Sequence, residues 1–309
     1  MANRCVLRFV SFTVGILVAL LVSVAQLQPA AAREMLPYGQ GLLWKVEAKG
    51  RMPNYVFGTI HLSDIRVTTL PDPVRQALNE AENLSLEVDM GAWSLYETQM
   101  LQLPEGRPLS EVLGKTLFAR VERHLGEAVG GRTALERMKP WVVLLSLTQT
   151  MSGASRRASG GALPLDLVLR SIALQRGILV FGLEEHEEQF AVFDRMPEAD
   201  QVEMIRDALA SRTDDVAPRM ERMIQLYLAR DLDGLYALSK SLWKKGRKEV
   251  IDAFYKRLIV DRNHVMARRM HDLLREGGAF VAVGAGHLAG EEGVLNLLAR
   301  RGYGIERVY

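Results

Sequence analysis

The sequence predicts an α/β fold (an α+β variant in its mixed strand directions), with a mixed central sheet flanked by helices and a large helical insertion. Three observations carry this. Short apolar, β-rich runs such as Phe280–Val283 and Ile178–Leu183 are scattered among long stretches of helical spacing. Several of these runs end in glycine before a helical pattern begins. Residues 280–309, FVAVGAGHLAGEEGVLNLLARRGYGIERVY, read as strand, glycine-rich turn with one histidine, helix and strand.

The first 32 residues read as an export signal. Arg4 and Arg8 give the positive start, Phe9–Ala25 is apolar and uncharged, and Ala30-Ala31-Ala32 offers a cleavage site. A run of this length also suits an uncleaved anchor, which would keep the protein near a membrane. The single cysteine, Cys5, would leave with the signal, so the exported chain carries no disulfide. A domain of this size buries enough core without one. The expected location is the periplasm or the extracellular space. Setting Arg4 and Arg8 aside from the 39 basic residues leaves as many as the 37 acidic ones, a balance that argues against nucleic acid as a partner. Residues 33–309 are expected to form one domain.

In chain order, Gly41–Lys49 reads as a strand, Gly50–Asn54 as a turn, and Asn54–Gly58 as the returning strand of a hairpin. A polar loop follows His61, and Pro71 and Pro73 open a helix. Leu84–Asp89 is a strand with Glu87 near its end. Leu95–Ser152 is helical in spacing, with a nearly apolar and hence buried stretch at Pro140–Met151. Gly153–Gly161 is small and basic. Pro164 starts an amphipathic helix with Asp166 in its first turn, and Gly177 ends it. Ile178–Leu183 is expected to be a buried strand, followed at once by Glu184. Residues 186–276 are helical almost throughout and are expected to cap the sheet. The methionines at 196, 204, 220 and 223 suit core packing. The basic stretch Lys244–Lys248 reads as solvated, or as a contact to anionic lipid near a membrane.

The chemistry lies at the strand ends. Gly-x-x-His-Leu occurs twice, as Gly58–Leu62 and Gly284–Leu288, each time after a strand. Two further strands lead to Glu87 and Glu184. Sites in open α/β sheets gather beyond the carboxyl ends of the strands. If the four strands are parallel neighbours, His61, His287, Glu87 and Glu184 converge. Two histidines with a carboxylate suit a divalent metal ion with a position open for water, and a second carboxylate could accept the water's proton. The third ligand is open among Glu87, Asp89 and Glu184. Each residue has a plainer reading as well. A histidine after a glycine turn is often a cap, Glu184 begins a charged run, and Asp166 suits a helix first turn. Arg262 could clamp a substrate carboxylate or bridge helices. His124, His186, His264 and His271 fall in helical stretches and suit surface or core roles.

These features together resemble the TraB/GumN family, which includes the animal Tiki-type proteases and is related to the erythromycin-esterase and ChaN-like group. The resemblance covers nearly all of the exported part. It rests on Gly58-Thr59-Ile60-His61-Leu62, Leu86-Glu87, Asp166 in Leu-Pro-Leu-Asp, Gly182-Leu183-Glu184 with Gln189, Arg262-Asn263, and Gly284-Ala285-Gly286-His287-Leu288. The chain departs from the family after Arg-Asn, where His264-Val265-Met266 replaces a basic or aromatic continuation. The resemblance implies a metal-dependent hydrolase, peptidase-like, with His61, His287 and Glu87 holding a divalent ion (Mn, Co or Zn). Glu184 or Glu87 is expected as catalytic carboxylate, and Asp166 and Arg262 are expected toward a peptide or small-molecule substrate. A haem-, metal- or peptide-binding module without turnover is a competing expectation, as is an accessory protein of envelope polysaccharide or conjugation machinery.

Overall fold

The computed structural model describes residues 35–48, 50–89, 91, 94–158, 163–210, 216–242 and 248–309. The expected export signal and positions 244–247 of the basic stretch lie outside the described residues. Among the described residues no helix is long and apolar enough to cross a membrane.

Strand β1 (Leu43–Glu47) turns back into β2 (Asn54–Thr59) as an antiparallel hairpin. A short helix α1 (Ile65–Thr68), where a polar loop is predicted, and α2 (Asp72–Glu80) lead to β3 (Asn83–Leu86). Asp64 caps α1 by accepting the Arg66 backbone N–H, which is why a helix starts there. Five helices follow: α3 (Leu95–Met100), α4 (Leu109–Leu113), α5 (Lys115–Leu125), α6 (Arg132–Glu136) and α7 (Pro140–Ala158). Helix α8 (Leu165–Gln175) ends before Gly177, whose φ of 72° only glycine adopts readily, and β4 (Leu179–Gly182) follows.

The second helical block holds α9 (His186–Asp194), α10 (Glu198–Ala210), α11 (Val216–Leu228), α12 (Leu232–Leu242) and α13 (Lys248–Tyr255). A π-helical segment, Lys256–Asp261, joins α13 to α14 (Arg262–Glu276). Then come β5 (Ala279–Gly284), a 3-10 turn at Ala285–His287, α15 (Val294–Ala299) and β6 (Gly304–Arg307).

The sheet order is β4-β3-β5-β2-β1-β6. The four strands β4, β3, β5 and β2 run parallel, while β1 is antiparallel to both of its neighbours. The fold is thus the mixed, helix-flanked α/β sheet that the sequence predicts. β5 is buried at every position, as a central parallel strand covered on both faces must be.

β4 corrects the expectation of a buried strand at Ile178–Leu183. It is the edge of the sheet, and Leu179 and Phe181 remain 64% and 43% exposed. Its apolar composition resembles that of a central strand, but among the described residues the face that carries Leu179 and Phe181 is left open.

Two apolar cores result. One lies around the sheet and includes Phe57, Leu84 and Phe280 from the strands, with Leu169, Tyr227 and Met270 from helices. The other, centred on Trp141, Phe190, Phe193 and Phe254, is built from helices before and after β4 and the turns between them. Trp141 stacks on Phe193 at 5.5 Å between ring centroids, and its indole N–H donates to Asp194.

Candidate functional site

Parallel strands of matched register bring their carboxyl ends to one rim. The ladder between β3 and β4 continues past both strands, through Leu183 N–H to Leu86 C=O and Glu184 N–H to Glu87 C=O. Glu87 and Glu184 therefore stand side by side. β5 and β2 pair through Gly284 and Thr59, which sets His287 and His61 just beyond the same rim.

Gly284 marks where the groups meet. A Cβ there would stand 3.1 Å from Glu87 Oε1 and 3.5 Å from both His61 Nε2 and His287 Cδ2. The two imidazoles thus reach one point, and His61 Nε2 and His287 Cδ2 are separated by no more than twice that last distance. The Gly284 N–H donates to Glu87 Oε1 at 2.6 Å and aims the carboxylate at this point. Gly58 has a packing role: a Cβ there would come within 2.7 Å of Leu288 and 3.2 Å of the Ala285 backbone, so its glycine lets the His287 turn close over β2.

Each histidine is gripped from behind. His61 Nδ1 lies 2.7 Å from Asp166 Oδ2, and the other Asp166 oxygen accepts from the Thr59 hydroxyl at 2.8 Å. Asp166, expected toward substrate, is placed here as the partner of His61. Desolvation alone would lower the pKa of His61, but the charge and hydrogen bond of Asp166 outweigh it and raise the pKa to about 9. His287 Nδ1 lies 2.6 Å from Asn263 Oδ1, a neutral partner. Burial, reinforced by the nearby Arg262 and His61 charges, lowers the pKa of His287 to about 3 against the pull of Glu87. One imidazole is thus strongly basic and the other stays neutral. The His287 Nε2 atom is 3.7 Å from Glu87 Oε1.

Arg262 ties the carboxylates together. Its Nη2 donates to Glu87 at 2.7 Å and to Glu184 at 2.6 Å, and its Nε donates to Glu184 at 3.0 Å. Its Nη1 donates to the Leu258 carbonyl and lies 3.4 Å from His287 Nε2. It links strand tips, where sequence reasoning offered a helix bridge or a substrate clamp. Burial pushes Glu87 up, but the Arg262 and His61 charges and the Gly284 N–H hold it well below the usual carboxylate range. Gln189 reaches Glu184 at 3.2 Å and completes the cluster.

Asp89, the rival of Glu87, turns aside to Arg170 at 2.9 Å. The other histidines lie elsewhere: His124 on the Arg120 carbonyl, His186 against Glu97, His264 against Glu292 and His271 against Tyr303.

Sequence reasoning did not single out the roles of Thr59, Gln189 and Asn263, although each falls inside a motif quoted above. The signal that would have found Asn263 is structural. The π-helical segment before α14 lets two successive residues, Arg262 and Asn263, both face inward at 6% and 1% exposure.

A profile of the TraB/PrgY/gumN family matches residues 42–307, a span that contains every group of this cluster. The chain belongs to the TraB/PrgY/gumN family. It is 26% identical to Metalloprotease TIKI2 of Xenopus tropicalis over 96% of its own length and 66% of that protein's. To Metalloprotease TIKI1 of Homo sapiens it is 27% identical, over 85% of this chain and 61% of the relative. It thus spans less than two thirds of those relatives. A Treponema pallidum protein of unknown role is 22% identical over 97% of this chain and 92% of its own. No solved structure matches.

The relatives' names raise the question of a metal. Among the described residues, no three His, Cys, Asp or Glu side chains stand as a ready-made metal cluster. The donor chemistry at Gly284 nevertheless fits a divalent ion in kind. Two imidazoles have their Nδ1 atoms engaged by partners behind them, as metal-binding histidines do, and a carboxylate oxygen lies beside the point they share.

Proposed function

We propose that this member of the family is an exported, metal-dependent hydrolase acting on peptide bonds. One observation carries the reading. Imidazoles from two separate strand tips, each held at Nδ1, face a single point beside Glu87. His61, His287 and Glu87 would hold the ion. When bound, a divalent ion supplies Lewis acidity and a water acidic enough to attack at neutral pH.

The protein's own groups perform the remaining tasks. Asp166 and Thr59 fix the His61 ring, and the Gly284 N–H fixes Glu87. Glu184, which accepts from Gln189, holds Arg262 beside His287. From there the buried guanidinium balances the charges of Glu87 and Glu184 beside the point that the imidazoles share. Glu87 or Glu184 accepts the proton released by the attacking water.

The test is peptide cleavage by purified protein, with and without added Mn, Co or Zn. His61→Ala and His287→Ala should each abolish metal-dependent cleavage and leave the circular dichroism spectrum unchanged. Full activity in the double variant would overturn the reading. Stoichiometric ligand binding with no cleavage across a broad peptide library would replace it with that of a binding module.

A further inference from the structure

We infer that Asn263 is a positioning residue that locks His287 in the tautomer with its proton on Nδ1, turning the bare Nε2 toward Glu87 and His61. Its functional meaning rests on the reading of His287 as a metal ligand; its geometry does not.

The two ends of a side-chain amide differ only in what they can bond, so their partners decide which is which. One end of Asn263 lies 2.7 Å from the backbone carbonyl of Glu292. A carbonyl only accepts, so this end must be the NH2 group. The other end is then the oxygen, and it lies 2.6 Å from His287 Nδ1. An amide oxygen cannot donate, so Nδ1 carries the proton. In a neutral imidazole that leaves a lone pair on Nε2.

The opposite side of the ring gives the same answer independently. His287 Nε2 is 3.4 Å from Arg262 Nη1, a group that only donates. A proton on Nε2 would point at another donor, whereas a lone pair suits it.

The placement is rigid. Asn263 is 1% exposed in the first turn of α14, and Glu292 belongs to the turn closed by Gly293 N–H on Gly290 C=O ahead of α15. The relay from Glu292 C=O through Asn263 to His287 thus fixes the ring from two chain segments. It does so with a neutral partner, whereas His61 is held by a carboxylate.

The test uses the full chain, labelled with 15N-histidine and stripped of metal by chelator. Long-range 15N–1H spectra distinguish a protonated ring nitrogen from a bare one, and the His287→Ala spectrum assigns the signal. Wild type should show Nδ1–H and bare Nε2 at His287. Asn263→Leu, similar in size with neither donor nor acceptor, should lose that single tautomer. It should also weaken Co2+ binding by about 10- to 100-fold, the usual effect of removing such a partner. Asn263→Asp keeps the acceptor at Nδ1 but loses the donor to the Glu292 carbonyl, so it should keep the tautomer and lose less Co2+ affinity than Asn263→Leu.

An Nε2–H signal in wild type would overturn the inference. So would an Asn263→Leu variant with both tautomer and Co2+ affinity unchanged. If Asn263→Leu fails to fold, the wild-type and Asn263→Asp spectra still decide. If wild type shows the tautomer yet binds no Co2+ and cleaves no peptide, the positioning role stands and the hydrolase reading falls.

Discussion

Arg262 has a partner at every side-chain nitrogen and is only 6% exposed. Two carboxylates share its charge, and both are themselves buried. Taking one charge out of such a cluster leaves the others uncompensated in a poorly solvated place, which typically costs about 3–5 kcal/mol. Arg262→Met, which keeps the length and removes the charge, should therefore lower the free energy of unfolding by about that amount in urea titrations. Pairing it with Glu184→Gln should recover part of the loss, since one stranded charge leaves with the substitution. A loss below about 1 kcal/mol, in the range of exposed pairs, would show that water reaches the cluster. The wild-type cluster also sets a direction with pH. The folded-state pKa of Glu87 is depressed from 4.5, so its contribution is fully present above that value and drains as pH falls below it toward the folded pKa. The Glu87 contribution should accordingly drain below pH 4.5, after an earlier loss that sets in below pH 6.5 because His287 is held neutral in the fold, and Glu87→Gln should flatten only the lower part of the slope.

The π-helical segment shows how an element, rather than a residue, aims the site. Phe254 and Leu258 anchor its start in the helical core, while Met266 and Met270 anchor α14 in the sheet core. An α-helix turns about 100° per residue, so an unbroken α-helix through the same residues would turn Arg262, Asn263 and the Met266 and Met270 anchors together away from the side set by Phe254 and Leu258. The wider turn at Lys256–Asp261 absorbs one extra residue and brings the pair inward. Deleting Lys256, which is exposed, should convert the segment to α-helix and rotate one anchor set against the other. The expected result is nearly unchanged helix content by circular dichroism with loss of Co2+ binding and of peptide cleavage. Wild-type cleavage in the deletion variant would show that the π turn does not aim the pair. Nothing in the sequence announces this segment, because Lys256–Asp261 has the composition of ordinary helix. That is why the sequence left Arg262 between two roles and Asn263 without one. His61, His287, Glu87 and Glu184 were legible for the opposite reason: each follows a short apolar run that could only be a strand, and strand ends gather in parallel sheets.

Across the whole molecule, strand existence was readable but strand order was not. Alternation and β-branched content report that a segment fits a pleated sheet and say little about its neighbours. Ile178–Leu183 shows the cost of that gap. Phe181 of β4 and Val281 of β5 both pair with Ser85 of β3, so their side chains share one face of the sheet. Val281 is fully buried there, yet Phe181 is 43% exposed and its strand neighbour Leu179 is 64% exposed. The same face is covered at the centre and open at the edge, a difference no local pattern encodes. An apolar edge strand is a template for pairing with another chain. Leu179→Lys should therefore leave stability within about 0.5 kcal/mol of wild type, as exposed substitutions usually do, and should reduce self-association by light scattering at high protein concentration. Val281→Lys, which places a charge in the packed centre of the same face, should fail to give a cooperative thermal transition. A loss above about 2 kcal/mol from Leu179→Lys, beyond what exposed positions show, would mean that this face is covered in the folded protein.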